Sequence, residues 1–272
     1  MKVYVTVWYR DLRNERIASE LASLGLDGIE LSLDYPLCSK LRVDEVDQLG
    51  RAIDLGLEVG IHLPWREIYL ASPLYDVRDL SKRYVISCLR ESSCIEPKYA
   101  VVHVTTDQAA CMDDVNECVR AAEDSVSTIA KVAEDVGIPI YVETTRSYCC
   151  GGLEQLVKFL NYGIKVCLDV PHAIERYSRF YRRLLTIEDV INEAPPALLR
   201  HIDLVHLHGY NVSGYRIVDS HMIPSPELVS KYVSLVRRGA LKPTYTVLEV
   251  FYLEPGKRIE VANLKWVVNE LK

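Results

Sequence analysis

Between its last apolar strand-like run but one and a proline-rich turn, the chain reads His206-Leu-His208-Gly-Tyr-Asn-Val-Ser-Gly-Tyr-Arg216-Ile-Val-Asp219-Ser-His221. The apolar run Ile202 to Leu207 delivers His206 to its end, and a glycine-bearing loop then delivers Asp219 and His221. Alternate residues of an extended segment point the same way, so the Asp-x-His step lets both side chains face one ion. Imidazole and carboxylate together, without cysteine, suit zinc or manganese.

Other apolar runs end in the same kinds of residue. Gly60-Ile61-His62-Leu63-Pro64, Val101-Val102-His103-Val104-Thr105 and Tyr141-Val142-Glu143-Thr144 are three of them. Cys167-Leu168-Asp169-Val170-Pro171-His172 and Val247-Leu248-Glu249-Val250 follow. Taken singly, each has a plainer reading. A lone strand-end histidine is usually a hydrogen-bonded structural residue, and Asp169 with His172 suits a helix start. Glu143 and Glu249 are harder to set aside, because a carboxylate buried without a partner is costly. The joint pattern decides: of seven histidines, only His201 falls outside the strand ends and the loop.

Positioning these groups requires a regular scaffold. Candidate strands are Lys2–Val7, Gly28–Leu33, Glu58–Leu63, Tyr99–Thr105, Pro139–Glu143, Lys165–Val170, Asp203–His208 and Thr244–Val250. Between them lie helical patterns at Leu12–Leu24, Val43–Leu55, Asp79–Ile95, Asp113–Val136, Leu153–Leu160, Ile187–Leu199, Pro226–Arg237 and Ile259–Leu271. The fourth is the clearest, with Val115, Cys118, Val119, Ala122, Val126, Ile129, Ala133 and Val136 on one face and Gly137 as a stop. Strands and helices in strict alternation imply an α/β protein with a closed eight-stranded parallel barrel. No linker-like stretch interrupts them, so one domain over residues 1–272 is expected. Barrels of this kind carry their chemistry at the C-terminal ends of the strands, where the histidines and acids fall.

Composition narrows the function classes. The formal charge of −6 disfavours a general nucleic-acid coat. Several divalent cations in a cleft would reverse that potential locally. No apolar run is long enough to span a membrane, and Lys2-Val-Tyr-Val-Thr-Val-Trp8 lacks the features of a signal peptide. A cytoplasmic protein without membrane partners is expected. Eight cysteines without a C-x-x-C pair argue against a zinc-thiolate site, and cytosolic redox logic makes them thiols. A composition poor in Gln and rich in Tyr, Val, Ile and Glu is a weak thermophile signature, the setting in which intracellular disulfides do occur.

At this point a resemblance is evident. Lys165-Val166-Cys167-Leu168-Asp169-Val170-Pro171-His172 resembles the second signature of apurinic/apyrimidinic endonuclease family 2, typified by endonuclease IV. His206, Asp219 and His221 match its third signature in type and spacing. The resemblance spans nearly the whole chain and implies a TIM barrel of the xylose isomerase-like class with up to three Zn2+, or zinc with manganese. By position it gives His62, His103 and Glu143 to a first ion. Glu143 would bridge to a second ion held by Asp169, His206 and Glu249, and His172, Asp219 and His221 would hold a third. Such a centre hydrolyses phosphodiesters, with the third ion steadying the departing oxygen; in the family this cuts DNA 5′ to abasic sites. Two departures bear on the substrate. The family's Tyr-apolar-apolar-Asn run is replaced by Tyr69-Leu70-Ala71-Ser72, with Trp65 nearer, and its Asn-acid-x-basic run by His208-Gly209-Tyr210-Asn211. Another phosphodiester, such as the nucleotide loop of a cobamide, is therefore an alternative substrate to abasic DNA.

A competing expectation is a sugar or sugar-phosphate isomerase or epimerase of the same superfamily. It would use one ion on Glu143, Asp169, His206 and Glu249, with the two glutamates moving protons. Leu26-Asp-Gly-Ile-Glu30-Leu also resembles the second strand of those enzymes, though Glu30 reads equally as a rim carboxylate. The further ligands discriminate, because one ion has no use for His62, His103, His172, Asp219 and His221 together. A non-catalytic binding barrel would leave these ionisable groups without a role. Remaining substrate-binding candidates are Arg216, Tyr69, Trp65 and His208. Arg146 is a second candidate for phosphate, Trp8 and Tyr9 for an apolar wall, and Ser178–Arg183 for a basic aromatic loop or a helix cap.

Overall fold

Short β-branched runs with inward and outward faces of different character close here into a parallel barrel. In a computed structural model the strands are β1 (Lys2–Val7), β2 (Gly28–Ser32), β3 (Glu58–His62), β4 (Ala100–Val102), β5 (Ile140–Glu143), β6 (Lys165–Asp169), β7 (Ile202–Leu207) and β10 (Tyr245–Leu248), with β10 between β7 and β1. The structure describes all residues except 9, 35–37, 39–42, 215 and 255–256, and all side chains except theirs and those of 43–46, 252 and 254. Tyr9, a candidate for the apolar wall, therefore lies outside the described residues.

Alternation separates two cores. Tyr4, Tyr99, Val101, Tyr141, Cys167, Leu204 and Val247 point inward and fill the barrel, with Tyr99 and Tyr245 ring centroids 4.8 Å apart. Two glycines make room for this aromatic plug: a methyl group on Gly28 would collide with the Tyr4 ring, and one on Gly60 with the Tyr99 ring. The outward residues join the larger core under the helices. These are α1 (Ile17–Ser23), α2 (Val43–Asp54), α3 (Tyr75–Ser92), α4 (Val115–Val136), α5 (Leu153–Leu156), α6 (Val170–Tyr181), α7 (Ile187–Glu193), α8 (Pro196–Leu199), α9 (Pro226–Arg237) and α10 (Lys265–Leu271). The Asp114 side chain caps α4 by accepting the amides of Asn116 and Glu117, and Gly137 ends it at a φ of 72°.

Of the two readings of Ser178–Arg183, loop or helix cap, the helix end is the one found: residues through Tyr181 belong to α6, which Arg182 ends in the left-handed region at φ 54°. The segment after His206 is no simple loop. It forms a hairpin of β8 (Gly209–Ser213) and β9 (Arg216–Met222), extended by β11 (Tyr252–Glu254) and β12 (Lys257–Arg258) into a small second sheet. The hairpin lies against α6, so Asp219 and His221 are folded back over the barrel mouth. The cysteines also differ from the expected thiols. Cys38–Cys88, Cys111–Cys118 and the adjacent Cys149–Cys150 are paired, leaving Cys94 and Cys167 as free thiols. Cα separations of 5.4 and 5.9 Å for the first two pairs suit a disulfide.

Candidate metal centre

Strand register sets the site. His62 ends β3, Glu143 ends β5 and Asp169 ends β6, while His103 and Glu249 directly follow β4 and β10. Asp169 stands beside His206 in the β6–β7 register. Asp169 is also the N-cap of α6, its Oδ1 accepting the His172 amide at 2.7 Å. The helix-start and ligand readings of this pair therefore coexist. Capping fixes the Asp169 rotamer, and the first turn of α6 presents His172 to the same mouth.

Glu143 is the hub. Its Oε2 lies 3.2 Å from His62 Nε2 and 3.3 Å from His206 Nδ1. Its Oε1 lies 3.0 Å from His103 Nε2 and 3.5 Å from His172 Nδ1. Glu249 Oε2 is 3.4 Å from His206 Nδ1. On the hairpin side, Asp219 Oδ2 lies 3.1 Å from His172 Nε2 and 3.2 Å from His221 Nε2. His221 takes a left-handed φ of 42°, a conformation uncommon for a histidine and kept here beside the cluster.

The donor chemistry tests whether these residues fit cations. The Nδ1 of His62 is 2.8 Å from the Leu63 carbonyl, which can only accept, so Nδ1 carries the proton. A neutral His62 then turns an Nε2 lone pair toward the Glu143 carboxylate. His221 repeats this, with Nδ1 3.3 Å from the Glu249 carbonyl and Nε2 facing Asp219. His206 Nε2 donates to Glu30 at 3.1 Å, which leaves Nδ1 between Glu143 and Glu249. The buried atoms His103 Nε2, His172 Nδ1 and His206 Nδ1 have no hydrogen-bond partner among the described residues. Lone pairs facing lone pairs in a buried site call for positive charge between them. Ligands about 2.0–2.2 Å from zinc lie roughly 3.3 Å from one another in a tetrahedron, close to the separations above. Ligand atoms of His62, His103 and Glu143 lie within 4.8 Å of one another. The same holds for Asp169, His206 and Glu249, and for His172, Asp219 and His221 together with His208. The residues fit divalent cations.

Without cations, protons take this role. Burial favours the neutral form of Glu143, but His103 and His206 outweigh it and hold its carboxyl well below the usual range. Asp219 is held down despite burial by hydrogen bonds from His172 and His221, and Glu249 by His221 and His206. Burial disfavours the His62 cation, yet Glu143 raises its pKa to about 9. His172, against its burial, is raised by Asp169 and Asp219.

The remaining candidates separate clearly. His208 is fully buried within the centre, 3.0 Å from Asp169 Oδ2, rather than at a substrate-facing rim. Trp65 stands at the rim, its ring 5.6 Å from that of His103, with the Arg66 guanidinium 5.2 Å above it and 4.8 Å above Trp8. Trp8 packs on Phe251, whose ring is 5.0 Å from His221. Tyr69 is half-exposed in the segment between β3 and α3. Arg216 is exposed near the hairpin tip, paired with Ser213 and away from the ligands. Arg146 instead comes within 3.6 Å of Asp219 Oδ2. Glu30, ambiguous in sequence between rim and site, is wholly buried and orients His206. Its signal was the inward alternation Gly28, Glu30, Ser32.

A closed barrel with an acid- and imidazole-lined mouth defines the class, and the chain belongs to the xylose isomerase-like TIM barrel family, whose profile matches residues 18–264. Sequence comparison finds no matching curated protein. Among solved structures, the TTHB071 protein from Thermus thermophilus, soaked with ZnCl2, is similar at a TM-score of 0.69 and 21% identity over 99% of both chains. D-psicose 3-epimerase from Clostridium cellulolyticum, with D-tagatose, aligns at 0.67 and 16% over 100% of this chain and 96% of its own. Endonuclease IV, also from Thermus thermophilus, aligns at 0.61 and 15% over 91% of both chains. At these identities the likeness concerns the fold. The similar solved structures include both an endonuclease and an epimerase.

Proposed function

We propose that this protein is a metal-dependent phosphodiester hydrolase resembling endonuclease IV, acting through up to three divalent cations, zinc or zinc with manganese. Its substrate is DNA cut 5′ to an abasic site or another phosphodiester. One observation carries the reading. The ligands do not stop at Glu143, Asp169, His206 and Glu249, but continue to His62 and His103 on one side and to His172, Asp219 and His221 on the other.

Cations held by these residues would make a water easier to ionise near neutral pH and would neutralise charge on phosphoryl oxygens. Glu143 stands where these positions meet, its Oε2 facing His62 and His206 and its Oε1 facing His103 and His172. Glu249 spans His206 and His221, at 3.4 and 3.7 Å, linking the centre to the hairpin. Glu30 holds the His206 ring in one tautomer. Arg146, half-exposed at the mouth, is placed to meet a phosphate oxygen, and Trp65 beside His103 and Phe251 beside His221 belong to one wall joined through Arg66 and Trp8.

Metal analysis with an activity panel tests this. More than one cation per chain, with cleavage of an abasic duplex or a cobamide phosphodiester, is expected. One cation per chain with turnover of a sugar would replace the reading with the isomerase. That second reading has its own support, since Asp169, His206 and Glu249 form a compact group with Glu143 beside it. A single ion there would leave two glutamates to move protons.

A further inference from the structure

His208 follows His206 by two positions, so strand alternation turns both rings into the barrel. The ring is fully buried. Its Nδ1 lies 3.1 Å from the Gly209 carbonyl and 3.6 Å from Asp219 Oδ1, while Nε2 lies 3.0 Å from Asp169 Oδ2. A neutral imidazole has one donor and one lone pair. With the proton on Nδ1, the Nε2 lone pair opposes Asp169. With the proton on Nε2, the Nδ1 lone pair opposes the Gly209 carbonyl and Asp219. Either tautomer therefore leaves a repulsive contact that a cation would remove. His62 shows the same arrangement across the mouth, with Nδ1 on the carbonyl of the next residue and Nε2 on Glu143.

The ring stacks on His221 with centroids 4.2 Å apart and planes 28° from parallel. His221 in turn lies 3.2 Å from Asp219 and 3.7 Å from Glu249. The two rings therefore stand side by side at the Asp219 carboxylate, where one cation could take a lone pair from each.

We propose that His208 is a fourth protein ligand of the position formed by His172, Asp219 and His221. One ligand atom from each of these four residues lies within 4.8 Å of every other. Three imidazoles and a carboxylate complete four-coordinate zinc, and closed sets of this kind are structural, whereas catalytic sites keep a position open. The four ligands come from α6, from the residue after β7 and from β9. A cation here fastens the hairpin to the barrel, and substrate oxygens are left to the positions around Glu143. The inference rests on the multi-cation reading of the site and specifies which of its positions stays closed to substrate.

Nuclear magnetic resonance of the full chain, labelled with 15N-histidine and loaded with 113Cd, tests it. Nitrogen–cadmium scalar couplings report ligation directly, and each ring is assigned through its own Cβ protons, so no variant need fold. Couplings are expected at His62, His103, His172, His206, His208 and His221 and not at His201. His208→Gln, which keeps a hydrogen-bond donor for Asp169, should lower the affinity of the hairpin position at least about tenfold and speed amide exchange through residues 209–222. Five coupled histidines with His208 uncoupled would overturn the inference and leave the multi-cation reading standing. Coupling at His206 alone would overturn both.

Discussion

The two ends of the barrel are both rich in buried or half-buried acids, yet they neutralise them differently. At the N-terminal end, Lys2 Nζ lies 2.7 Å from Glu58, and Lys165 Nζ lies 2.6 Å from Asp203. Tyr4 donates to Glu58, and Tyr141 to Asp203 at 2.9 Å. Both of these acids meet a fixed ammonium and a phenol that the protein carries itself. At the C-terminal end, Glu143, Asp169, Asp219 and Glu249 face imidazoles, several with a nitrogen unpartnered. Lysine is charged at neutral pH and neutralises its acid permanently, while imidazole is near its switching point and yields a lone pair to a metal. The first end is finished as built; the second is completed by what it binds.

The sharpest way to break this contrast is to remove the hub. Glu143→Gln keeps the volume but withdraws the charge shared by His62, His103, His172 and His206. Loss of an orienting partner costs about 10–100-fold in metal affinity, so loss of this direct ligand should cost at least about 100-fold. Metal content per chain and phosphodiester turnover should fall together. Full cation loading of a folded Glu143→Gln protein would refute the role given to Glu143.

Next in size is Glu30→Gln, which acts through His206. Glu30 is wholly buried and touches the centre through its 3.1 Å contact with His206 Nε2. Zinc titration against a competing chelator should show affinity lowered about 10–100-fold, with the circular dichroism spectrum unchanged. An unaltered affinity would mean that the barrel packing alone orients His206.

Much of this was legible in sequence because side chains at strand ends inherit the strand's alternation. His62, Glu143 and Asp169 close their strands as expected, and the barrel follows from the spacing of the β-branched runs. What remained hidden depends on other forces. A helix start at Asp169 and His172 could be read, but not its run through Tyr181, because no helical pattern is visible between that start and Ser178–Arg183. The hairpin β8–β9 is mostly exposed, so Asn211, Ser213 and Asp219 interrupt the apolar alternation by which strands are found. The spacing of His208 from His206 turns it inward, but its place among Asp169, Asp219 and His221 depends on the hairpin folding back, which local sequence does not show. Disulfides such as Cys38–Cys88, separated by 50 positions, leave no local signal at all.

Proton binding offers a milder test. Chelator-stripped protein keeps a proton on His62 up to about pH 9, against an ordinary 6.5 in the unfolded chain. Folded protein therefore binds more protons between these values, so this stabilisation is fully present below about pH 6.5 and is lost as pH rises through 9. For Glu143, Asp219 and Glu249 the sign reverses: their depressed values give stability that is present above the ordinary carboxylate range and lost in acid. Thermal melts of stripped protein should thus be highest near pH 6 and fall toward pH 9. Zinc needs deprotonated ligands and should restore more stability at pH 8 than at pH 6. Equal melting at pH 6 and 9 without metal would show that His62 is not held protonated by Glu143.

The smallest effect is expected at the finished end. Lys165→Met removes an ammonium whose stem is half-exposed and leaves Asp203 with Tyr141 and the Thr244 amide and hydroxyl. An exposed pair of this kind contributes about 0–1 kcal/mol, and the remaining donors still hold the carboxylate in place. Chemical denaturation should detect a loss within that range, with metal content and turnover unchanged, because the aromatic layer of Tyr4, Tyr99 and Tyr141 separates the two ends. A marked loss of metal binding in Lys165→Met would mean that charge at one end is felt at the other, and that the barrel interior does not insulate the centre as its apolar filling implies.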